Sequence, residues 1–137
     1  MATARNSVAA TFLHATRAAF DLRVREAVRL YRESLAARPN DLNGGGAFIR
    51  VAASASDEAA VSEALAALRE SGTTRPEAAN HFMDYAYQHL DPNDGADYGL
   101  AASERWPLAN IMYQTHRNLL FAQRVDEAAE LMQAFAQ

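Results

Sequence analysis

Residues 24–39, with the sequence VREAVRLYRESLAARP, decide the fold class of this chain. Their apolar positions recur every three or four residues, which places them on one face of an α-helix. That face consists of Val24, Ala27, Val28, Tyr31 and Leu35. Pro39 ends the pattern, because the residue before a proline is pushed out of the helical region of backbone space. The stretch therefore predicts an amphipathic helix with a definite end.

The same helical spacing runs through most of the remaining sequence. It is carried first by Val8, Phe12, Ala15 and Ala19, and it returns after Ser56, Thr74, Leu108 and Val125. Residues 48–51 could form a strand by residue type, but no second strand is available to pair with them, so a short helix is favoured. We therefore predict an all-α chain of six or seven helices. Its length favours one domain over residues 1–137, either a compact bundle or a short solenoid.

Two segments are expected to be loops. Residues 42–46 contain three consecutive glycines, and such runs favour a flexible connection. Residues 91–99 begin with Asp-Pro-Asn-Asp-Gly and carry three acidic side chains. This composition is typical of a turn, so we expect an acidic loop there.

Missing residue types exclude several kinds of chemistry. All thirteen basic residues are arginine, and cysteine is absent as well. Without lysine there is no Schiff-base enzyme and no Walker-type phosphate loop. Without cysteine there is no disulfide, thiolate nucleophile or thiolate zinc site. No serine stands in a Gly-x-Ser-x-Gly elbow either. We expect a protein that is not an enzyme and needs no cofactor.

Composition also bears on origin and location. Alanine accounts for 31 of the 137 residues, and with the exclusive use of arginine this suggests a GC-rich bacterial genome or a phage of such a host. No apolar run approaches the roughly 20 residues that a membrane-spanning helix needs. We therefore expect no membrane partner and a cytoplasmic location.

Positive charge is concentrated near the start of the chain. Residues 1–38 carry seven arginines and three acids, whereas residues 39–104 carry three arginines and eleven acids. The candidate partner-binding residues in the basic segment are Arg17, Arg25, Arg29 and Arg32. The last three share one edge of a predicted helix, which suits an acidic protein surface or nucleic-acid phosphates.

A structural interpretation of the same arginines stays open. Glu26 and Glu33 flank Arg29 at three and four residues, the spacing at which side chains of opposite charge pair along a helix. The edge would then be a solvated helix face with ion pairs. The net charge of −4 makes nucleic acid the less favoured partner.

Residues 25–41 resemble the second helix of a tetratricopeptide repeat. The matching features are the small residues Ala27 and Ser34, the aromatic Tyr31, the following Leu35 and the closing Pro39-Asn40-Asp41. A frame of about 34 residues places Ala15 and Ala18 at small positions of the preceding helix, although Thr11 stands where the family has an aromatic residue. Residues 124–132 resemble another second helix, with Ala128 at the small position.

This resemblance covers about half the chain and excludes its middle third. It implies helical hairpins at both ends of the molecule. It also implies a scaffold that binds a peptide or a partner protein in a concave groove.

A weak metal-ligand pattern occurs in the middle of the chain. Glu77, His81 and Asp84 follow helical spacing, and carboxylates and imidazoles at such positions can converge on one metal ion. A bundle that holds two metals usually adds Glu-x-x-His pairs, and none occurs here. A Glu–His pair on a solvated helix face is the commoner outcome.

Aromatic residues cluster around the expected acidic loop. Tyr98 and Trp106 are the two that we select as partner-binding residues. Tyrosine and tryptophan are enriched in binding hot spots, but they also pack in cores with a solvated polar tip.

The leading hypothesis is a small protein–protein interaction module, such as an adaptor, a chaperone-like protein or an assembly subunit, without catalytic activity. Copies of the chain could also associate, because a basic start and an acidic middle can meet head to tail. One alternative is a subunit of a nucleic-acid-handling or phage-defence complex that contacts phosphates through the N-terminal arginines. Another is a metal-dependent protein that uses His81 and Asp84.

Overall fold

Helices account for all the regular structure in the residues that the structure, a computed structural model, describes. These residues are 10–18, 23–38 and 42–137, and no strand occurs among them. The all-α prediction is confirmed. Residues 10–18 form α1, and the following helices are α2 (Val24–Ala37), α3 (Leu42–Ser54), α4 (Glu58–Ser71), α5 (Pro76–His89), α6 (Pro92–Arg105), α7 (Ala109–Phe121) and α8 (Val125–Ala136).

The described ranges thus hold eight helical segments, where six or seven were predicted. None of these helices is long and apolar enough to cross a membrane.

The acidic loop predicted over residues 91–99 is wrong, because most of this segment belongs to α6. Asp91 caps the helix: its carboxylate accepts a hydrogen bond from the backbone N–H of Asn93 at 2.8 Å. Pro92 occupies the first turn, where a missing N–H leaves no hydrogen bond unmade. Asp94 lies in the same turn, near the positive end of the helix dipole. The residues that resemble a turn therefore start a helix.

The glycine-rich loop predicted over residues 42–46 is wrong as well, since α3 covers this segment. Glycine lowers helix stability by about 1 kcal/mol per residue relative to alanine, so packing must supply the difference. Phe48, Ile49 and Ala52 of α3 are fully buried, and the helix packs against α2. Tertiary contacts therefore outweigh local preference, and the prediction of a helix over residues 48–51 is confirmed.

Contacts divide the chain into two units, Met1–Leu68 and Arg69–Gln137, and the division falls within α4. The prediction of a single domain stays a prediction. In the first unit, Tyr31 of α2 packs edge-to-face on Phe12 of α1, with ring centroids 5.8 Å apart. Its hydroxyl lies 3.1 Å from the hydroxyl of Thr16.

In the second unit, α6 packs closely against its neighbours because its inner face is made of small residues. α5, α6 and α7 contact one another, and α8 packs on α7. A Cβ atom on Gly95 would overlap the side-chain oxygen of Asn118, and one on Gly99 would lie 3.0 Å from the sulfur of Met83. The buried positions of α6 are Gly95, Ala96, Gly99, Ala102 and Ser103.

Two fully buried polar side chains of α7 connect these helices. The Asn118 amide donates hydrogen bonds to the backbone carbonyls of Met83 in α5, at 3.0 Å, and Gln114, at 2.9 Å. The Thr115 hydroxyl lies 3.0 Å from the carbonyl oxygen of Gly99 and 2.8 Å from the Ser103 hydroxyl, both in α6. Asn118 thus joins α7 to α5, and Thr115 joins α7 to α6.

The close approach of α6 predicts an unusual response to Gly95→Ala. Glycine to alanine within a helix normally stabilises by roughly 1 kcal/mol. Here the added methyl group occupies the space of the Asn118 amide, so we expect the free energy of unfolding to fall by about 1–3 kcal/mol. Urea denaturation followed by circular dichroism measures the change.

The control is the same substitution in an Asn118→Ala background, where the obstructing amide is gone. The loss caused by Gly95→Ala should then shrink or reverse sign, which gives a coupling energy in a double-mutant cycle. An equal loss in both backgrounds would show that the contact with Asn118 is not the cause.

Candidate functional site

Three of the predicted arginines line one groove in the first unit. Arg25, Arg29 and Arg32 of α2 form one side of an open groove of about 590 Å³. Arg17, on α1, is not among its lining residues. The connection from α3 to α4 forms the other side, through Ala55, Ser56, Asp57 and Glu58. Two carboxylates therefore face the arginines.

Two of these arginines already have ion-pair partners. Arg29 Nη1 lies 2.8 Å from Glu33 Oε1, and Arg32 Nε lies 2.9 Å from Glu63 Oε2. Pairs as exposed as these contribute only about 0–1 kcal/mol, but they balance the local positive charge. The groove is consequently a poor match for a chain of phosphates.

The metal candidates on α5 do not form a cluster. In the part of the chain that the structure describes, no three His, Asp or Glu side chains lie close enough to hold a metal ion together. Instead, Asp84 accepts a hydrogen bond from Arg117 Nη2 at 2.5 Å. The Arg117 guanidinium also lies over the Tyr87 ring, 4.5 Å from its centroid. Of the predicted set Glu77, His81 and Asp84, the last thus positions an arginine of α7.

Tyr98 and Trp106, two of the residues selected from the sequence, line the same pocket. It is a pocket of about 250 Å³ in the second unit, at the ends of α4 and α6. Arg69 and Arg105 lie beside the two aromatic side chains, although the sequence did not single them out. The other lining residues are Gly72, Thr73, Ala101 and Ala102.

Contacts at the ends of the two helices set the geometry of this pocket. Arg105 Nη1 donates a hydrogen bond to the carbonyl oxygen of Thr73 at 2.5 Å. The Arg105 guanidinium carbon lies 5.2 Å from the centroid of the Trp106 ring. The Tyr98 ring packs on Phe82 with centroids 4.4 Å apart. Arg105 therefore connects the end of α6 to the turn after α4 and covers part of the indole.

Gly72 leaves room for the Tyr98 hydroxyl. A Cβ atom at this position would overlap that hydroxyl and lie 3.0 Å from the backbone of Ala79. The hydroxyl donates a long hydrogen bond, 3.4 Å, to the carbonyl oxygen of Arg69. Burial raises the pKa of Tyr98, and the nearby guanidinium groups of Arg105 and Arg69 oppose that rise.

Exposed apolar side chains are concentrated in the last third of the chain. Of the eight large apolar residues that are exposed in the described ranges, seven lie between residues 108 and 135. α8 has an apolar face, yet Ala128 is its one buried residue in the structure described. The seven residues are Leu108, Tyr113, Leu120, Phe121, Val125, Met132 and Phe135.

One of these seven residues, Phe135, lines a concave surface. An open groove of about 520 Å³ runs between α6, α7 and α8, and we call it the apolar groove. The sequence marked the apolar face of α8, but it did not show that this face stays uncovered. The lining residues are Leu100, Ser103, Glu104, Pro107, Met112, Leu131, Ala134 and Phe135.

Acidic residues occur in the lining of the apolar groove, as Glu104, and along α8, one of the helices that form it. α8 contains three acids and no basic residue. Arg124, immediately before α8, makes a two-pronged contact with Glu127 at 2.5 and 2.8 Å and lies 2.6 Å from Asp97 of α6. The hydrogen bonds from Arg124 lower the pKa of Glu127. Glu127 therefore stays ionised at neutral pH.

No protein-family model matches this chain, and no curated protein matches its sequence. Its function is therefore inferred from its own surfaces.

The raised pKa of Tyr98 predicts a loss of stability in alkaline solution. The folded protein holds the neutral phenol more strongly than the unfolded chain, whose pKa is near the ordinary 10.0. Above that pH the unfolded chain loses the proton first, so the free energy of unfolding falls until pH passes the folded pKa. Tyr98→Phe should reduce this fall between about pH 9 and pH 11, as measured by urea denaturation at each pH.

The control is Tyr113→Phe, which removes an exposed tyrosine of α7. It shows how much the pH dependence of stability changes when a phenol that is not buried is lost. If the two variants lose stability with pH to the same extent, burial of Tyr98 is not responsible.

Proposed function

We propose that this chain is a small helical protein–protein interaction module that binds its partner in the apolar groove and catalyses no reaction. The observation that carries the proposal is the apolar groove itself, a concave surface lined mainly by apolar side chains, one of which is the exposed Phe135. Contiguous exposed apolar surface on a folded protein marks an interaction site. Scattered exposed residues of this kind would need no such explanation.

The occupant that fits the apolar groove is an amphipathic helix with basic flanks. Leu131 and Phe135 lie one turn apart on α8, and Met112 of α7 faces the same space. This arrangement suits apolar side chains that recur every three or four residues on a partner helix. The acids of α8, together with Glu104 in the groove lining, favour arginine or lysine beside that apolar stripe.

A foreign partner is favoured over a second copy of this chain. The basic helix that a copy would offer is α2, but the apolar side chains of α2 are buried in its own unit. An α8 helix would bring like charge to the α8 of another copy. Association between copies, with the basic start of one chain against an acidic region of another, is therefore the less favoured version of this proposal.

The tetratricopeptide-like character of the N-terminal hairpin belongs to the same proposal. Ala15, Ala18 and Ala27, where the resemblance expects small residues, are fully buried. Tyr31 of α2 contacts Phe12 of α1 in the way expected for two packed helices of a hairpin. These contacts support a scaffold role for the first unit.

The test is binding of a labelled amphipathic peptide, with leucine on one helix face and arginine beside it, measured by fluorescence anisotropy. Phe135→Asp should weaken binding by about tenfold or more, because it places a charge in the apolar groove. Gln133→Asp adds the same charge to an exposed position of α8 outside the groove lining, so it should bind nearly as the wild type does.

A peptide with glutamate in place of arginine should bind more weakly than the arginine peptide. No binding by the wild-type chain, or equal weakening by both variants, would contradict the proposal. If the wild-type chain forms dimers as its concentration rises and the Phe135→Asp variant does not, the occupant of the groove is a second copy instead.

A further inference from the structure

We propose that the pocket lined by Arg69, Tyr98, Arg105 and Trp106 binds a small aromatic carboxylate. The two guanidinium groups hold the single negative charge, and the ring of the ligand lies against the Trp106 indole. None of the residues that line this pocket lines the apolar groove. The site is therefore independent of the proposed protein-docking function.

The positive charges of the two pocket arginines are not balanced by acidic side chains of the described residues. Neither Arg69 nor Arg105 is in an ion pair with another residue of the described ranges. No acidic side chain lines the pocket in the structure described. By contrast, side-chain carboxylates lie within ion-pair distance of Arg23, Arg29, Arg32, Arg117 and Arg124. A ligand anion would supply the missing counter-charge.

The electrostatics of the pocket favour one negative charge over two. α4 ends at Ser71 and α6 ends at Arg105, so two helix C-termini border the space. Each C-terminus carries roughly half a negative charge, which offsets about one of the two guanidinium charges. The remaining charge of about +1 matches a carboxylate better than a doubly charged phosphate. The planar guanidinium also matches the two oxygens of a carboxylate.

The size of the pocket favours a single ring. Its volume of about 250 Å³ is below the range of roughly 300–1,000 Å³ in which drug-sized ligands bind. Ala101 and Ala102 add only methyl groups to the lining, so they take little of this volume. A flat ring can stack on the part of the indole that Arg105 leaves uncovered.

The Tyr98 hydroxyl adds a hydrogen-bond donor to the site. Its present bond to the Arg69 carbonyl is long, at 3.4 Å, so the proton is available to a closer acceptor. Burial favours the neutral phenol, which keeps this proton at neutral pH. The donor set is therefore two guanidinium groups and one phenol, which together suit a carboxylate.

Trp106 makes the test direct, because it is the one tryptophan of the chain and it lines the pocket. Phenylacetate should change its fluorescence in a saturable way. Phenylacetamide has the same shape without the charge, and it should bind at least about tenfold more weakly. Phenyl phosphate should bind no more tightly than phenylacetate.

A carboxylate beside an aromatic ring occurs both in free small acids and on acidic side chains of proteins. An acetylated, amidated Phe-Glu dipeptide distinguishes these two sources. Tighter binding of the dipeptide would assign the carboxylate to an acidic side chain of a protein, and tighter binding of phenylacetate would assign it to a free small acid. Either order supports the site. Binding of phenylacetamide as tight as that of phenylacetate, or a preference for phenyl phosphate, would overturn it.

Arg69→Gln is the decisive variant. The Arg69 guanidinium lies over Phe82 and not over the Trp106 ring, so its loss does not remove a contact of the indole whose fluorescence is measured, whereas the loss of Arg105 does. Arg69→Gln should weaken phenylacetate binding by about fivefold or more. Arg105→Gln should weaken phenylacetate binding to a similar extent, and it should also change the Trp106 fluorescence of the ligand-free protein. Arg38→Gln removes an exposed arginine from the first unit and should bind as the wild type does. Wild-type affinity in both pocket variants, with melting temperatures unchanged, would disprove the proposal.

Discussion

The buried amide of Asn118 and the buried hydroxyl of Thr115 hold the second unit together, and much of the remaining structure follows from them. Both side chains lie on α7; Asn118 binds a backbone carbonyl of α5, and Thr115 binds a backbone carbonyl of α6. A buried polar group that loses its partner is costly, so these two contacts leave little freedom in how the helices approach. They require α6 to come close, and that in turn requires glycine at positions 95 and 99. The position of α6 then determines the pocket on one of its sides and the apolar groove on another.

Local sequence patterns predicted helices well where an apolar stripe carried the information, as in α2. They failed at residues 91–99 because Asp-Pro-Asn-Asp-Gly suits both a turn and the first turn of a helix. What decides between them is the contact of Gly95 with Asn118, which lies far away in the sequence. The glycines at 44–46 misled in the same way, since the packing of Phe48 and Ile49 outweighs their low helix propensity.

The candidate site was predicted in part. Tyr98 and Trp106 were selected as aromatic residues, and the structure places them in one pocket. Arg69 and Arg105 were missed because each stands alone in the sequence, whereas the N-terminal arginines attract attention by their number. The number of arginines in a segment is a poor guide to a binding site in this chain. Arg29 and Arg32 have carboxylate partners supplied by Glu33 and Glu63, and the second of these becomes a neighbour only in the folded chain.

The close packing of α6 has a consequence for how this protein can evolve. A side chain at Gly95 or Gly99 would overlap or crowd its neighbours, so change at these inner positions would disturb the helix bundle itself. The edges of the helix are different: Ala101 and Arg105 face the pocket, while Leu100 and Glu104 face the apolar groove. Substitutions along either edge can alter one surface and leave the other intact. One helix therefore gives selection two separate sets of positions on which to act.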